Sequence, residues 1–164
     1  MRTLVVYFSR AGQASLTARV AKEIAKRCDG HVDTIQPRPQ ERSWLAAWRY
    51  NWQALTRAEP PIQRPARNPA NYDLVVIGVP VSRAGLAPHV RSYVRRYGDR
   101  IQQLAFFCAE GTGREARSFS ELGKIYGKPP VATLSIGRKH LPTIADRQQL
   151  NEFVDSLGAT LTEK

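Results

Sequence analysis

Residues 3–15 read TLVVYFSRAGQAS and run from a buried strand through a turn into a helix. The β-branched and aromatic side chains of Thr3–Ser9 predict the strand. Apolar residues then recur at every fourth position, which predicts an amphipathic helix over Ala14–Lys26. The turn between them, Ser9–Ala14, contains Gly12, which permits close approach to the backbone. Because a helix N-terminus offers free N–H groups and a partial positive charge, this turn is either a phosphate site or a plain connection.

Strands and helices alternate along the rest of the chain. Further strands are predicted at His31–Ile35, Tyr72–Pro80, Leu104–Cys108 and Val131–Ile136, and further helices at Ser43–Arg57, Pro88–Arg96, Ser118–Tyr126 and Arg147–Leu161. Ser118, in a capping-box pattern, and Asp146 are predicted to cap the last two helices. The alternation predicts one α/β domain over residues 1–164, a three-layer sandwich around a five-stranded parallel sheet.

The order of elements also predicts where a ligand binds. In open parallel sheets, ligands lie beyond the carboxyl ends of the strands, where the strand order reverses. This rule selects the turns after the first, third and fourth strands, which are Ser9–Ala14, Val79–Pro88 and Ala109–Gly113. The second turn mixes rigid proline with flexible glycine, and the third is rich enough in glycine to lie against a flat ligand.

These segments resemble the flavodoxin family. VVYFSRAG, residues 5–12, is similar to the family's first strand and phosphate loop, of the type Y-x-S-x-T-G-N-T. YDLVVIGVPVSRAGLAPHVRSYV, residues 72–94, resembles its central segment. LAFFCAEGTG, residues 104–113, and GKPPVATLSI, residues 127–136, resemble its fourth loop and fifth strand. The resemblance implies a flavodoxin-like fold with strand order 2-1-3-4-5 and FMN as the cofactor.

The resemblance also implies which residues hold FMN. They are Ser9, Arg10, Ala11, Gly12, Gln13, Ala14 and Ser15 in the first turn, Pro80, Val81, Ser82, Arg83, Ala84 and Gly85 in the second, and Ala109, Glu110, Gly111, Thr112 and Gly113 in the third. It implies no catalytic side chain and no metal ligand.

Four of these positions depart from the family pattern, and one of them, Gln13 in place of Asn, can still donate and accept hydrogen bonds. Ala11 and Ala14 stand where threonines usually bind the phosphate. A hydrogen bond to a charged group is worth about 1.5–3 kcal/mol, so two losses weaken FMN binding by roughly 10²- to 10⁴-fold. Ser82 stands at a position where the resemblance implies an aromatic residue that stacks on the flavin ring. A serine cannot stack, although the guanidinium of Arg83 is able to. A flavodoxin-fold interaction module with weak or no FMN binding is therefore the alternative function.

The charge and the special residues limit the other functions. The chain has 25 Lys and Arg against 14 Asp and Glu, a net charge of +11. This excess either favours acidic partners or serves only solubility, and no nucleic-acid-binding signature accompanies it. Cys28 and Cys108 are far apart and the three histidines are scattered, so we expect reduced thiols and no metal site. Without a membrane-length apolar run or a signal peptide, the expected location is cytoplasmic.

Other side chains have open interpretations. Trp44, Trp48 and Trp52 recur at four-residue intervals, which favours packing on the sheet, with a flavin cover or a homodimer face as alternatives. Tyr50 and Tyr126 are weaker candidates for the cover. We expect Cys108 to be a buried packing residue, with a catalytic thiol as the alternative. We expect His89 to be a surface residue, with a proton donor to a reduced substrate as the alternative. The predicted function is electron transfer or flavin-dependent reduction, with a redox protein or a small electron acceptor such as a quinone as partner.

Overall fold

The structure, a computed structural model, describes residues 2–9, 15–38, 52, 58–82, 85–111, 113, 115–137 and 144–159. The strands are β1 Thr3–Tyr7, β2 His31–Thr34, β3 Leu74–Gly78, β4 Val81–Ser82, β5 Gly85–Leu86, β6 Gln103–Gly111 and β7 Thr133–Gly137. The helices are α1 Leu16–Arg27, α2 Pro88–Tyr97, α3 Glu115–Tyr126 and α4 Ile144–Ala159. Single 3-10 turns occur at Pro69–Asn71 and Gly98–Arg100.

Five strands form one parallel sheet in the order β2-β1-β3-β6-β7. Numbered among themselves, these strands follow the predicted order 2-1-3-4-5, which is therefore confirmed. β1 and β3 are buried along their whole length. Such continuous burial is typical of parallel strands that are covered on both faces.

Helices cover both faces of the sheet and make the predicted three layers. On one face, α2 and α3 pack through residues such as Val90 and Leu122 onto the sheet. On the other face, α1 and α4 pack through residues such as Ile24 and Phe153. Consecutive residues of a strand point to opposite faces, so β1 contributes to both cores. We call these two sides of the sheet the α2/α3 face and the α1/α4 face.

Two predicted helix caps are wrong. α3 begins at Glu115, so Ser118 lies inside the helix and is buried. α4 begins at Ile144, so Asp146 lies in its first turn instead of preceding it. Asp146 suits a cap and a first-turn position alike, because both lie near the positive end of the helix dipole, whereas Ser118 is assigned only from its capping-box pattern. The sequence therefore locates the first residue of each helix only to within several positions.

Strand β6 is longer than predicted. Ala109, Glu110 and Gly111 belong to the strand and not to the following turn. The register between β6 and β7 shifts between Cys108 and Gly111, as at a β-bulge. A bulge lets pairing resume after an irregular residue. Because Glu and Gly are poor strand formers, the composition gives no sign of this extension.

The two ends of the long connection between β2 and β3 are hydrogen-bonded to each other. Pro37 forms an antiparallel bridge with Ile62, and the Gln63 N–H donates to the Gln36 carbonyl at 2.8 Å. Ile62 is buried in the core of the α2/α3 face. The predicted helix Ser43–Arg57 lies outside the described residues except for Trp52, whose backbone is helical.

Three side chains of α2 hold the returning segment 58–60. Arg91 Nη1 donates to the Ala58 carbonyl at 3.1 Å, and Ser92 Oγ donates to the Pro60 carbonyl at 2.8 Å. Arg95 Nε donates to Glu59 Oε1 at 3.0 Å. The segment therefore lies along α2, where Arg91 and Ser92 are buried and Arg95 stays exposed.

None of the helices in the described part of the chain has the length and hydrophobicity needed to span a bilayer.

Candidate functional site

The candidate site lies where the chain leaves β1 and β3 in opposite directions. From the carboxyl end of β1 the chain continues to α1 on one face of the sheet, and from the carboxyl end of β3 it continues to α2 on the other. β1 and β3 are neighbours, so a crevice opens between their carboxyl ends. The connection after β6 leaves from the same edge, next to β3. The topology thus brings the three predicted turns to one edge of the sheet.

The first connection ends at a well-formed helix start. Ser15 is the N-cap of α1, and its Oγ accepts a hydrogen bond from the Ala18 N–H at 3.1 Å. The helix therefore starts two residues later than the predicted Ala14. Its first turn contains no acidic residue, so the positive end of the helix dipole is not neutralised by a carboxylate there. Ser9, at the other end of the connection, is half-buried.

The second connection contains a short hairpin. Val81 pairs with Leu86 and Ser82 pairs with Gly85, in antiparallel register, as strands β4 and β5. Val79 before the hairpin and Leu86 at its end are buried, whereas Pro80 is half-buried. The hairpin therefore stands on a fixed apolar base at the edge of the crevice.

The third connection turns sharply at Gly113, whose φ of 80° lies in the left-handed region. The Gly113 N–H donates to Glu115 Oε1 at 2.9 Å. Glu115 is buried in the first turn of α3. Its carboxylate thus accepts from a backbone N–H of one of the predicted ligand-binding turns. The sequence analysis missed Glu115, although acidic residues in a first helical turn are common.

Phe8 and His89 form a buried ring stack between the first and second connections. Their ring centroids lie 4.8 Å apart with an interplanar angle of 19°. The relative exposures are 4% for Phe8 and 5% for His89. The prediction that His89 is a surface residue is therefore wrong, because the first turn of α2 faces the core here.

Several predicted site residues are not placed by the structure. Arg10, Ala11, Gly12, Gln13, Ala14, Arg83, Ala84 and Thr112 lie outside the described residues. For Val81, Ser82, Gly85, Glu110 and Gly111 the structure describes the backbone. Ala109 is fully buried in the core of the α1/α4 face.

The comparison with known proteins concerns the fold. No protein-family model and no curated protein matches the chain. Among solved structures, the chain is similar to a flavoprotein from Lactobacillus acidophilus in complex with FMN, at 19% identity and a TM-score of 0.68, over 93% of this chain and 97% of that one. A protein from Bacteroides uniformis that has been assigned as a flavoprotein matches at 22% identity and a TM-score of 0.70, over 94% of this chain and 97% of that one. Oxidised flavodoxin from Bacillus cereus matches at 13% identity and a TM-score of 0.57, over 97% of this chain and 98% of that one.

The fold is that of the flavodoxins. The predicted flavodoxin-like architecture is thereby confirmed, and the crevice between β1 and β3 is the switch point of this flavodoxin fold.

Two aromatic residues differ from their expected roles within the flavodoxin fold. Tyr126 is buried at the amino end of β6, where its hydroxyl donates to the carbonyls of Ile101 and Gln102 at 3.2 Å and 3.0 Å. The interpretation of Tyr126 as a flavin cover is therefore wrong, since it lies at the opposite end of the sheet. Trp52 is 58% exposed, so packing onto the sheet does not hold for this tryptophan. Trp44, Trp48 and Tyr50 lie outside the described residues.

One of the two cysteines lies in the core and the other is half-buried. Cys108 is fully buried in the core of the α2/α3 face, as expected for a packing residue. Burial raises the pKa of the half-buried Cys28 thiol, which disfavours a reactive thiolate. Within the described ranges, no group of three or more His, Cys, Asp or Glu side chains is placed to hold a metal ion.

Proposed function

We propose that this chain is a single flavodoxin-like domain, residues 1–164, that binds FMN and takes part in electron transfer or flavin-dependent reduction. The observation that carries the proposal is the strand order, in which three connections leave from one edge of the sheet around the switch point between β1 and β3. A flavin bound there would supply the redox chemistry.

The FMN phosphate is assigned to residues Ser9–Ser15. The N-terminus of α1 supports this assignment because its N–H groups point out of the helix and no carboxylate competes in its first turn. The half-buried Ser9 adds a hydroxyl at the end of β1. Arg10 adds a positive charge to the same turn in the sequence. This donor set suits a dianionic group even without the two threonines of the family pattern.

The flavin ring is assigned to Pro80–Gly85 and Ala109–Gly113. Gly78, at the end of β3, makes room for side chains of the two neighbouring strands. A Cβ at Gly78 would lie 2.5 Å from the Phe107 ring and 2.9 Å from Tyr7 Cβ, so only glycine lets the Phe107 ring lie this close to the end of β3. Ser82 provides no aromatic ring, and the ring face on that side therefore depends on Arg83 or on a ring from elsewhere in the chain.

The net charge of the chain indicates which class of redox partner it would bind. With a net charge of +11, the domain attracts acidic surfaces, and a redox protein with an acidic docking surface fits this balance. A small electron acceptor such as a quinone is the other class of partner consistent with a flavin at an open crevice.

The second candidate function is an interaction module that keeps the flavodoxin fold without its cofactor. Ala11 and Ala14 favour it because they lack hydroxyls, and so does the Gly113 N–H, which is already bonded to Glu115. The visible spectrum of the purified protein, followed by titration of the flavin-free protein with FMN, separates the two functions. Saturable binding with one FMN per chain supports the flavoprotein, whereas no binding at millimolar FMN leaves the interaction module.

A further inference from the structure

Two rings stand at the ends of two separate connections of the candidate site. Phe8 is the first residue after β1 and is followed directly by Ser9. His89 is the second residue of α2 and follows Pro88, which closes the second connection. The pair therefore joins the chain just before the proposed phosphate turn to the chain just after the proposed ring-binding hairpin.

Within the described residues, backbone pairing does not join these chains beyond the strand ends. The ladder between β1 and β3 ends at the pair Tyr7 and Gly78. The last backbone contact is the long hydrogen bond from the Phe8 N–H to the Gly78 carbonyl, at 3.5 Å. After it, the chains diverge to opposite faces of the sheet. The stack of Phe8 on His89 lies at this point of divergence.

Phe8 of the stack belongs to the core of the α2/α3 face. The same core contains Val79 before the hairpin, Leu86 in its second strand, and Ala87 and Val90 at the start of α2. Closely packed interiors transmit small displacements instead of absorbing them. A change in the spacing of the two rings would thus move Ser9 relative to the hairpin.

We propose that Phe8 and His89 are a positioning pair that sets the distance between the phosphate turn and the ring-binding hairpin of the FMN site. This inference rests on the proposed function for its ligand. FMN is a rigid ring joined to a phosphate by a short chain, so the two ends bind together only when the two connections are correctly spaced. The stacked geometry, and not the imidazole nitrogens, carries this role.

Four variants test the proposal. His89→Phe keeps a ring in the stack, whereas His89→Leu and Phe8→Leu keep apolar burial and remove the stack. Phe119→Leu is the matched control, because it breaks the stacked pair of Phe106 and Phe119, 5.9 Å apart, in the same core but away from the connections. Each flavin-free protein is titrated with FMN, its thermal unfolding is measured, and hydrogen exchange is followed by mass spectrometry.

The proposal predicts that His89→Leu and Phe8→Leu bind FMN about 3- to 10-fold more weakly than wild type. His89→Phe and Phe119→Leu bind it as wild type does, although Phe119→Leu melts at a lower temperature. Equal FMN affinity in wild type and His89→Leu would overturn the proposal, as would an equal loss in Phe119→Leu or in His89→Phe.

Hydrogen exchange separates this inference from the proposed function. If wild type binds no FMN, the proposed function fails and the exchange of the flavin-free proteins decides the inference. Faster exchange in peptides covering residues 9–15 and 80–88 in His89→Leu, but not in Phe119→Leu, retains the positioning role. Unchanged exchange in those peptides rejects it.

Discussion

Arg91 of α2 and Glu121 of α3 form an ion pair in which two guanidinium nitrogens share one carboxylate oxygen. Nε and Nη2 of Arg91 donate to Glu121 Oε1 at 3.0 Å and 2.8 Å. Only 3% of the Arg91 side chain is exposed, and its Nη1 donates to the Ala58 carbonyl. One buried cation thus ties together α2, α3 and the segment that returns from the tryptophan-containing connection.

Removing the carboxylate of this pair should be costly. Glu121→Gln leaves a buried guanidinium without its counter-charge, so we expect a loss of about 3 kcal/mol in the free energy of unfolding. Urea denaturation of the two proteins measures it. The matched control is Glu59→Gln, which breaks the exposed pair of Glu59 with Arg95 and should cost less than about 1 kcal/mol. Equal losses in the two variants would mean that burial of Arg91 does not determine the cost.

Removing the hydroxyl group of either of two buried tyrosines should change the melting temperature, in opposite directions for the two. Burial raises the pKa of Tyr93 well above its ordinary value, with a further contribution from the Asp33 carboxylate, and its hydroxyl has no hydrogen-bond partner among the described residues. We expect Tyr93→Phe to raise the melting temperature, because it removes an unsatisfied buried polar group. Tyr126→Phe should lower the melting temperature, with a loss of about 1 kcal/mol in the free energy of unfolding, because its hydroxyl donates to two backbone carbonyls. A lower melting temperature in both variants would contradict the assignment for Tyr93.

Introducing a ring at Ser82 tests the open side of the proposed flavin site. An aromatic pair contributes about 0.5–1.5 kcal/mol beyond burial, and burial of the indole adds to this. Ser82→Trp should therefore bind FMN roughly 10-fold more tightly than wild type and quench its fluorescence. Ser82→Ala, the control, should bind FMN as wild type does. Weaker binding in Ser82→Trp would show that Arg83 or a tryptophan already occupies that ring face.

The sheet was predictable because burial on both faces leaves a strong sequence signal. Strands such as Leu74–Gly78 consist of β-branched and apolar residues, and the crossovers between them require parallel pairing. The starts of α3 and α4 were not predictable to the residue, since Asp146 suits either a cap or a first turn and Ser118 is assigned only from its capping-box pattern. β6 is longer than predicted because a bulge lets strand pairing continue past residues that disfavour strands.

Burial on α2 depends on a contact that is remote in sequence. Arg91 and Ser92 are buried because the segment 58–60 lies over them, which no local pattern indicates. His89 is buried because Phe8, eighty-one positions earlier, stacks on its ring. The edge of the sheet that carries the candidate site follows from topology alone, whereas the side chains that line it follow from such long-range packing.

The central claim is that the turn Ser9–Ser15 holds the phosphate of FMN. Titration of the flavin-free protein with FMN and with riboflavin, which lacks the phosphate, tests it most directly. The account predicts that wild type binds FMN at least about 10-fold more tightly than riboflavin, since phosphate hydrogen bonds are worth about 1.5–3 kcal/mol each. The preference should vanish in Gly12→Val and persist in Gly123→Val, where the new Cβ meets no atom closer than 3.8 Å. Equal affinities for FMN and riboflavin in wild type, or an unchanged preference in Gly12→Val, would contradict the account.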